Sequence, residues 1–223
     1  MSFFERLVAE TTAERLALQA VPQIRDGLAG NISRETYVAY LTQAYHHVSQ
    51  TVPLMLAAKA RLDDSHAEFK AALDEYIAEE TGHEAWILND IRFCGDEADA
   101  AGLGLPNPAT RAMIEFAYAF IDRVNPMGFF GMVFVLEGTS VQLATQGAAA
   151  VQASLGLPRQ AFTYLTSHGS LDVSHMAFFQ KLMDRVTAPD DQAAIIEMAR
   201  RIFVLFADMF RAIPHSRSLA NAV

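Results

Sequence analysis

Apolar residues recur at three- and four-residue intervals along most of this chain, which is the spacing of one face of an α-helix. No stretch alternates apolar and polar residues between turn signals, so the pattern predicts an all-α fold without strands. Kinks are expected at Pro22 and Pro53 inside the first two helices. The predicted helices span about 3–27, 33–61, 63–93, 108–124, 126–154, 158–167, 170–187 and 191–213.

Polar and conformationally special residues mark the ends of these helices. Ser33 is a start signal for the second helix, and Asn107 followed by Pro108 fits an N-cap and first-turn pair. Ser170, after Gly169, is predicted to cap a helix that begins there. Further breaks are predicted at Cys94-Gly95, Asn125-Pro126 and Gly156-Leu157-Pro158. No linker is long enough to separate two domains, so residues 1–223 are predicted to form one helical domain.

Composition narrows the classes of function. Of the 223 residues, 52% are hydrophobic, which is enough for a substantial core. The net charge is −9 and no run of Lys or Arg occurs, which argues against binding to nucleic acid. The single cysteine, Cys94, excludes an intrachain disulfide and fits a reducing compartment.

No segment predicts a leader peptide or a membrane span. The first six residues carry early charges and lack a cleavable apolar core. The apolar stretch 126–136 ends at Glu137, and the uncharged stretch 138–158 is rich in Gln, Ser, Thr and Gly. We therefore predict a cytoplasmic protein that does not bind a membrane.

The densest group of chemically active side chains is His168-Gly-Ser-Leu-Asp172-Val-Ser-His175. Asp172 and His175 are three residues apart, so on a helix they share a face. Carboxylate plus imidazole is a ligand set that suits iron, manganese or zinc better than calcium or magnesium. This stretch therefore resembles one half of a metal site.

Two other predicted helices carry residues of the same types. Glu80-x-x-His83 repeats the spacing of acid and imidazole in the third helix. Glu137 lies in an apolar stretch, where an unpaired buried carboxylate is costly unless a metal or a partner compensates it. Glu137 is for this reason the most anomalous residue of the sequence.

The second predicted helix contributes His46 and His47, which point in different directions. His47 shares a stripe with Tyr40 and Ala44, and it is the preferred metal ligand of the two. Tyr40, Ala44 and His46 are assigned to the wall of a substrate pocket.

Together, four helices offer acids and imidazoles for one buried centre. Carboxylate-bridged di-iron and di-manganese bundles take a carboxylate from each of two helices and an acid-x-x-His pair from each of two others. Two histidines and one acid would instead make a mononuclear site with open positions. The predicted metal ligands are Glu80, His83, Glu137, His168, Asp172, His175 and His47, and the predicted catalytic residues among them are Glu137, His83 and His175.

Each part of this centre also has a purely structural interpretation. Glu80 and His83 fit a solvated surface pair. Glu137 fits a buried ion pair with an arginine such as Arg123. His168 fits the C-terminal end of a helix, where it would interact with the helix dipole.

Three motifs resemble the heme-oxygenase-like superfamily: Tyr40-Leu-Thr-Gln43-Ala-Tyr45-His46-His47-Val48, Glu79-Glu80-x-x-His83-x-x-Trp86 and His168-Gly-x-Leu-Asp172-x-x-His175. The likeness covers nearly the whole chain and is strongest to the iron-containing redox enzymes near the TenA and PqqC families. It implies a bundle of about seven helices around a central pocket. For the non-heme di-iron branch, which oxidises small acids, amines or aromatic compounds with dioxygen, it implies metal ligands at Glu80, His83, Glu137, His168, Asp172 and His175.

Several positions depart from neighbouring subfamilies. TenA-type thiaminases have Asp where this chain has Ala44, and they need a Cys on the helix at 126–154, which has none here. PqqC-type oxidases hold an anionic precursor with several basic residues, which are scarce on the inward stripes of this chain. Residues 1–30 contain no histidine that could bind heme iron, so heme is not expected. Some di-iron relatives carry Glu where this chain has Tyr76.

The sequence therefore leaves three hypotheses. The preferred one is a non-heme oxidase or oxygenase that holds one or two iron ions, or manganese, and oxidises a small organic molecule with dioxygen. The second is a metal-independent enzyme of the TenA and PqqC type, in which histidines act as acids and bases on an aromatic or heterocyclic substrate. The third is a non-enzymatic binding bundle with a polar core. The apolar helix at 108–124 also predicts a homodimer surface.

Overall fold

A computed structural model describes residues 1–96, 98 and 104–215, with the backbone alone at 170, 171, 173 and 174. Eleven α-helices have defined bounds there, and no strand occurs in these residues, so the all-α prediction is confirmed. The helices are α1 (Phe3–Glu10), α2 (Thr12–Gln19), α3 (Pro22–Leu28), α4 (Arg34–Val48), α5 (Thr51–Arg61), α6 (Ala67–Glu80), α7 (Glu84–Phe93), α8 (Pro108–Arg123), α9 (Phe129–Leu155), α10 (Thr163–Met183) and α11 (Pro189–Arg211). Short 3₁₀ turns lie at Asp64–His66, Pro126–Gly128 and Arg159–Phe162.

The first two predicted helices are each divided in the structure. Instead of one kinked helix, the N-terminal region forms α1, α2 and α3, and Pro22 occupies the first position of α3. Instead of a kink at Pro53, the chain breaks at Ser49 and Gln50, between α4 and α5. Pro53 lies in the first turn of α5, where its missing N–H costs no helical hydrogen bond.

Several predicted start and stop signals are confirmed. The Ser33 hydroxyl accepts a hydrogen bond from the Thr36 N–H at 3.2 Å, at the start of α4. The Asn107 carboxamide accepts one from the Thr110 N–H at 2.8 Å, at the start of α8. Gly156 ends α9 in the left-handed conformation that glycine adopts without strain.

The predicted break at Gly169 and Ser170 is wrong, because α10 runs through both residues without interruption. Gly169 permits close packing instead: a Cβ added there would lie 2.3 Å from Thr145 Oγ1 on α9. Ser170 is therefore an interior helical residue and not an N-cap.

A buried acid from another helix marks the true start of α10. Asp90 of α7 accepts hydrogen bonds from the N–H groups of Thr163, at 3.0 Å, and Tyr164, at 2.8 Å. Two of the N–H groups that a helix leaves unpaired at its start are thereby satisfied. This contact fixes α10 against α7.

Helix α9 lies at the centre of the fold and packs along α10 and α11. Its first two turns are buried on all sides, from Phe129 to Val135. Gly131 makes the closest approach, since a Cβ there would lie 2.2 Å from the carbonyl oxygen of Ile195 on α11. A smaller apolar cluster joins α4 and α7 to the second half of α9.

One segment of the described chain, Pro126–Leu155, is long and apolar enough to cross a bilayer by length and composition alone. However, 56% of its most apolar window is buried inside the protein. That burial is typical of the core helix of a globular fold.

The outward face of α8 bears on the predicted homodimer. Four of its exposed residues are charged: Arg111, Glu115, Asp122 and Arg123. The apolar residues of α8, such as Met113 and Phe120, are buried against the rest of the protein. A homodimer through this helix stays a prediction.

Candidate metal centre

Glu80 and His83 lie at the turn between α6 and α7, so the predicted third helix is divided there. Glu80 is the last residue of α6, and Gly82, with a φ of 95°, lets the chain turn before His83. Glu80 Oε2 and His83 Nδ1 are 3.0 Å apart, and both side chains are less than 10% exposed. The surface-pair interpretation is therefore wrong.

Helix α10 brings His168, Asp172 and His175 together on one face. His168 Nδ1 is 3.6 Å from Asp172 Oδ1, and His175 Nδ1 is 3.5 Å from the same oxygen. Since His168 lies inside α10 and not at its C-terminal end, the helix-dipole interpretation is wrong. The Asp172 carboxylate is almost completely buried.

Two groups of three ligand-type side chains form where these elements meet. The ligand atoms of Glu80, His83 and His168 lie within 4.8 Å of one another, and so do those of Glu80, Asp172 and His175. Glu80 belongs to both groups. The first group holds two imidazoles and one carboxylate, and the second holds two carboxylates and one imidazole, a donor set typical of adjacent transition-metal positions.

Glu137 reaches the same centre from α9. Its Oε1 atom is 3.7 Å from His175 Nδ1, and its side chain is only 12% exposed. Burial, together with the nearby carboxylates of Asp172 and Glu80, raises the pKa of Glu137 well above its ordinary value. The predicted ion pair with Arg123 is wrong, because the Arg123 side chain is 79% exposed and lies beside Asp122.

The charges in the centre influence one another. Burial opposes ionisation of Asp172, but the facing imidazoles of His168 and His175 outweigh it and lower the pKa of this carboxyl. The Asp172 carboxylate in turn raises the pKa of His175. The carboxylate of Asp172 is therefore held in the ionised form that metal binding requires.

Several buried atoms of the centre lack a hydrogen-bond partner: Glu137 Oε2, His168 Nε2, Asp172 Oδ1 and His175 Nδ1. A buried polar group without a partner costs about 1–3 kcal/mol, so four in one place need an explanation. Divalent cations bound at the two ligand groups would satisfy His168 at one position and Asp172 with His175 at the other. The residues that are present therefore fit a metal ion of the kind that oxygen and imidazole ligands select.

Two cavities meet at this centre. The smaller, about 80 Å³, is lined by Glu80, Glu137, His168 and Asp172, and also by His47 of α4. The larger, about 150 Å³, has a mainly apolar wall formed by α3, α4, α9, α10 and α11. The arrangement places an apolar chamber directly beside a polar one.

The structure separates the remaining predicted residues of α4. Tyr40 and Ala44 line the larger cavity, and His47 lines both cavities. His47 nevertheless lies outside the two ligand groups that share Glu80. His46 lines neither cavity; it is buried, with its ring 5.7 Å from that of Tyr45.

Three residues near the centre were not predicted to be functional. Tyr164 and Ser140 line both cavities, and the ring of Tyr164 lies 5.0 Å from that of His168. Ser140 follows Glu137 by three residues and Tyr164 precedes His168 by four, so each shares a helix face with a predicted ligand. This spacing is a sequence signal for both residues. Glu79 Oε2 lies 2.9 Å from His175 Nε2 although the Glu79 side chain is 58% exposed, and no sequence signal indicated this contact.

The all-α architecture and the buried cluster of imidazoles and carboxylates define a helical protein with a candidate metal centre. The chain belongs to the family of iron-containing redox enzymes, because the model of that family matches residues 38–207. The matched region contains every residue of both ligand groups. A comparison with curated proteins finds no match.

Solved structures show the same fold. A domain of unknown function with a heme oxygenase-like fold from Shewanella denitrificans OS217 is similar with a TM-score of 0.86 at 20% identity, over 94% of this chain and 90% of that one. A TenA homologue from P. horikoshii OT3 is similar with a TM-score of 0.77 at 9% identity, over 95% and 97%. Heme oxygenase-1 from Synechocystis sp. PCC6803, in complex with heme, is similar with a TM-score of 0.70 at 13% identity, over 95% and 91%. These likenesses establish the heme oxygenase-like fold.

Proposed function

We propose that this protein is a non-heme iron oxidase or oxygenase that uses dioxygen to oxidise a small organic molecule. The main support is that Glu80 belongs to two adjacent ligand groups, because a carboxylate in that position can bridge two ions. Membership of a family of iron-containing redox enzymes favours iron over manganese. Iron held there would supply the electrons that reduce dioxygen.

The residues of the chain have distinct roles in this proposal. Glu80, His83 and His168 would hold one ion, and Glu80 with Asp172 and His175 would hold a second. Glu137, whose Oε1 atom lies 3.7 Å from His175 Nδ1, would be a further ligand to the second ion. The apolar wall of the larger cavity limits the access of water to the reacting molecule.

Anaerobic titration of metal-free protein with Fe(II), followed by exposure to oxygen and a Mössbauer readout, tests the proposal. We expect two irons per chain in the wild type and loss of both in Glu80→Ala, because both groups contain Glu80. Asp172→Asn should lose only one. Glu75→Ala removes an exposed acid from the same helix and should retain both irons.

Clear outcomes would contradict the proposal. Glu80→Ala with wild-type iron uptake and a wild-type circular dichroism spectrum would exclude the shared site. Catalytic turnover that a chelator leaves unchanged would favour metal-independent acid–base chemistry by the histidines. Absence of both iron uptake and turnover would favour a non-enzymatic binding bundle. A shifted Soret band on addition of hemin would contradict the expectation that heme is not the cofactor.

The proposal also includes location and partners. A cytoplasmic enzyme is supported by the single cysteine, which is buried, and by the reducing conditions that Fe(II) needs. Its partners would be dioxygen and the organic substrate.

A further inference from the structure

The larger cavity offers few polar atoms to a ligand, because its wall is mainly apolar and five of its nine polar side chains interact with other groups of the protein. Three of them donate hydrogen bonds to backbone carbonyl oxygens of the protein: Gln23 to Arg211 and Ile213, Thr36 to Pro214, and Tyr37 to Ala161. The hydroxyls of Tyr40 and Tyr164 interact with each other. A molecule in this cavity would therefore meet mainly apolar surface along most of its length.

Three side chains of this wall have a buried atom without a hydrogen-bond partner: His47, Ser140 and His168. His168 belongs to a ligand group and Ser140 interacts with the ligand Asp172, which leaves His47 for a bound molecule. The His47 side chain is 4% exposed, it borders both cavities, and its Nδ1 atom has no hydrogen-bond partner. The ring is held edge-on against Phe206, with ring centroids 5.7 Å apart. A buried polar atom that is fixed in place and unpaired is costly unless a ligand satisfies it.

Size and charge limit what the cavity can take. An engineered apolar cavity of about 150 Å³ accommodates benzene, and the larger cavity here has about the same volume. None of the described residues that line it is Lys or Arg, so an anionic group would find no cationic side chain there. The wall thus favours an uncharged molecule of about one aromatic ring.

We propose that the larger cavity binds an uncharged, largely apolar molecule of that size, and that His47 Nδ1 hydrogen bonds to its one polar group. His47 is then a substrate-binding residue and not a metal ligand. Because His47 lies where the two cavities meet, this contact directs the polar end of the molecule towards Glu80 and Glu137. The inference names the substrate class of the proposed oxidase and to that extent rests on the proposed function, although the binding itself needs no metal.

Binding of benzene, phenol and benzoate to metal-free protein, measured by calorimetry, tests this assignment. The three share one ring and differ in having no polar group, a neutral one or an anionic one. We expect phenol to bind about three- to tenfold more tightly than benzene, the gain from one buried hydrogen bond, and benzoate to bind most weakly. His47→Leu should abolish the preference for phenol over benzene, because the hydroxyl loses the partner that the proposal assigns to it.

His46→Leu is the matched control, since it removes the neighbouring buried imidazole that lines neither cavity; it should keep the wild-type order. The same measurements are repeated on Mn(II)-loaded protein, which should still bind phenol more tightly than benzoate. Tighter binding of benzoate in the loaded protein, or a phenol preference that survives His47→Leu, would overturn the proposal. So would a loss of bound metal in His47→Leu.

The proposed function can fail separately. If metal-free protein prefers phenol through His47 but takes up no iron, the binding site stands and the oxidase assignment falls. If iron binds at Glu80 but the affinity for phenol does not depend on His47, the oxidase assignment stands and the proposed binding site falls.

Discussion

An exposed side chain can take part in a buried centre, and Glu79 is the example here. Its Oε2 atom lies 2.9 Å from His175 Nε2, on the side of the ring that faces away from Asp172 and Glu137. A carboxylate at Nε2 favours the tautomer that carries its proton there, which leaves Nδ1 free to bind a metal. Glu79 is therefore expected to position His175 without contacting the ion.

We expect Glu79→Ala to weaken metal binding by about tenfold or more, the usual effect of removing such a partner. Glu79→Gln, which can still accept through its amide oxygen, should retain most of the affinity. Competition with a fluorescent chelator for Mn(II) measures both constants. Glu75→Ala is the control, because it removes the same charge one turn earlier on α6. If Glu79→Ala binds Mn(II) with the affinity of the wild type, Glu79 does not position His175 for metal binding.

At the scale of elements, the crossing of α9 and α11 depends on the absence of one side chain. A Cβ on Gly131 would lie 2.2 Å from the Ile195 carbonyl oxygen and 2.8 Å from the Ala199 nitrogen, both backbone atoms of α11. Backbone atoms inside a helix cannot move independently, so the two helices would have to separate.

We expect Gly131→Ala to destabilise the protein by about 1–3 kcal/mol, as overpacking of a core does. Gly138→Ala on the same helix is the control: its Cβ would meet nothing within 4 Å. That variant should be as stable as the wild type or up to about 1 kcal/mol more stable, since alanine favours helix over glycine. Urea unfolding measures both, and equal stability of the two variants would contradict the packing argument.

The contact between α7 and α10 predicts a pH dependence. Burial raises the pKa of Asp90 to about 6, although the N–H groups of Tyr164 and Thr163 oppose the shift. The folded state therefore holds the Asp90 proton more tightly than the unfolded chain, where a pKa near 3.9 is normal. The resulting stabilisation is complete below about pH 4 and is lost as the pH rises through about 6.

We expect the wild type to lose up to about 3 kcal/mol relative to Asp90→Asn between pH 4 and pH 7, following the size of the pKa shift. Asparagine keeps an oxygen for the same N–H groups but does not titrate. Urea unfolding of both proteins at several pH values measures the difference. A difference that does not change with pH would show that Asp90 titrates normally.

At the scale of the whole molecule, the candidate ligands come from separate parts of the fold. Glu80 ends α6, His83 follows the turn and Glu137 lies on α9. Three further ligands lie on α10, which packs closely on α9 at Gly169. A bound ion would therefore tie together elements that are up to about half the chain apart. Metal binding should in consequence stabilise the whole fold.

We expect free Mn(II) at about one hundred times its Kd to stabilise the wild type by about 2.7 kcal/mol, and a chelator to remove the effect. Glu80→Ala should show no stabilisation. Thermal unfolding of both proteins with and without Mn(II) measures this stabilisation. Equal stabilisation of Glu80→Ala would indicate binding elsewhere on this acidic protein.

The sequence shows where helices form but not always where they end. Apolar periodicity correctly indicated helical structure over most of the chain, because it reports which side of a local segment is buried. The predicted helix end at Gly169 is wrong, since glycine marks both helix ends and close helix contacts. Likewise, nothing local indicates that the start of α10 is capped by Asp90, which lies 73 residues earlier than Thr163.

By itself, the sequence determined the all-α class, the family and the side chains able to bind a metal, because periodicity, motifs and residue chemistry are properties of short segments. Only the tertiary structure decided which of those side chains meet. It made Glu80 common to two groups, set His47 between two cavities, turned His46 away and brought Glu79 to His175. These outcomes depend on the turn at Gly82 and on the packing of distant helices, since distances between segments are fixed only when the whole chain folds.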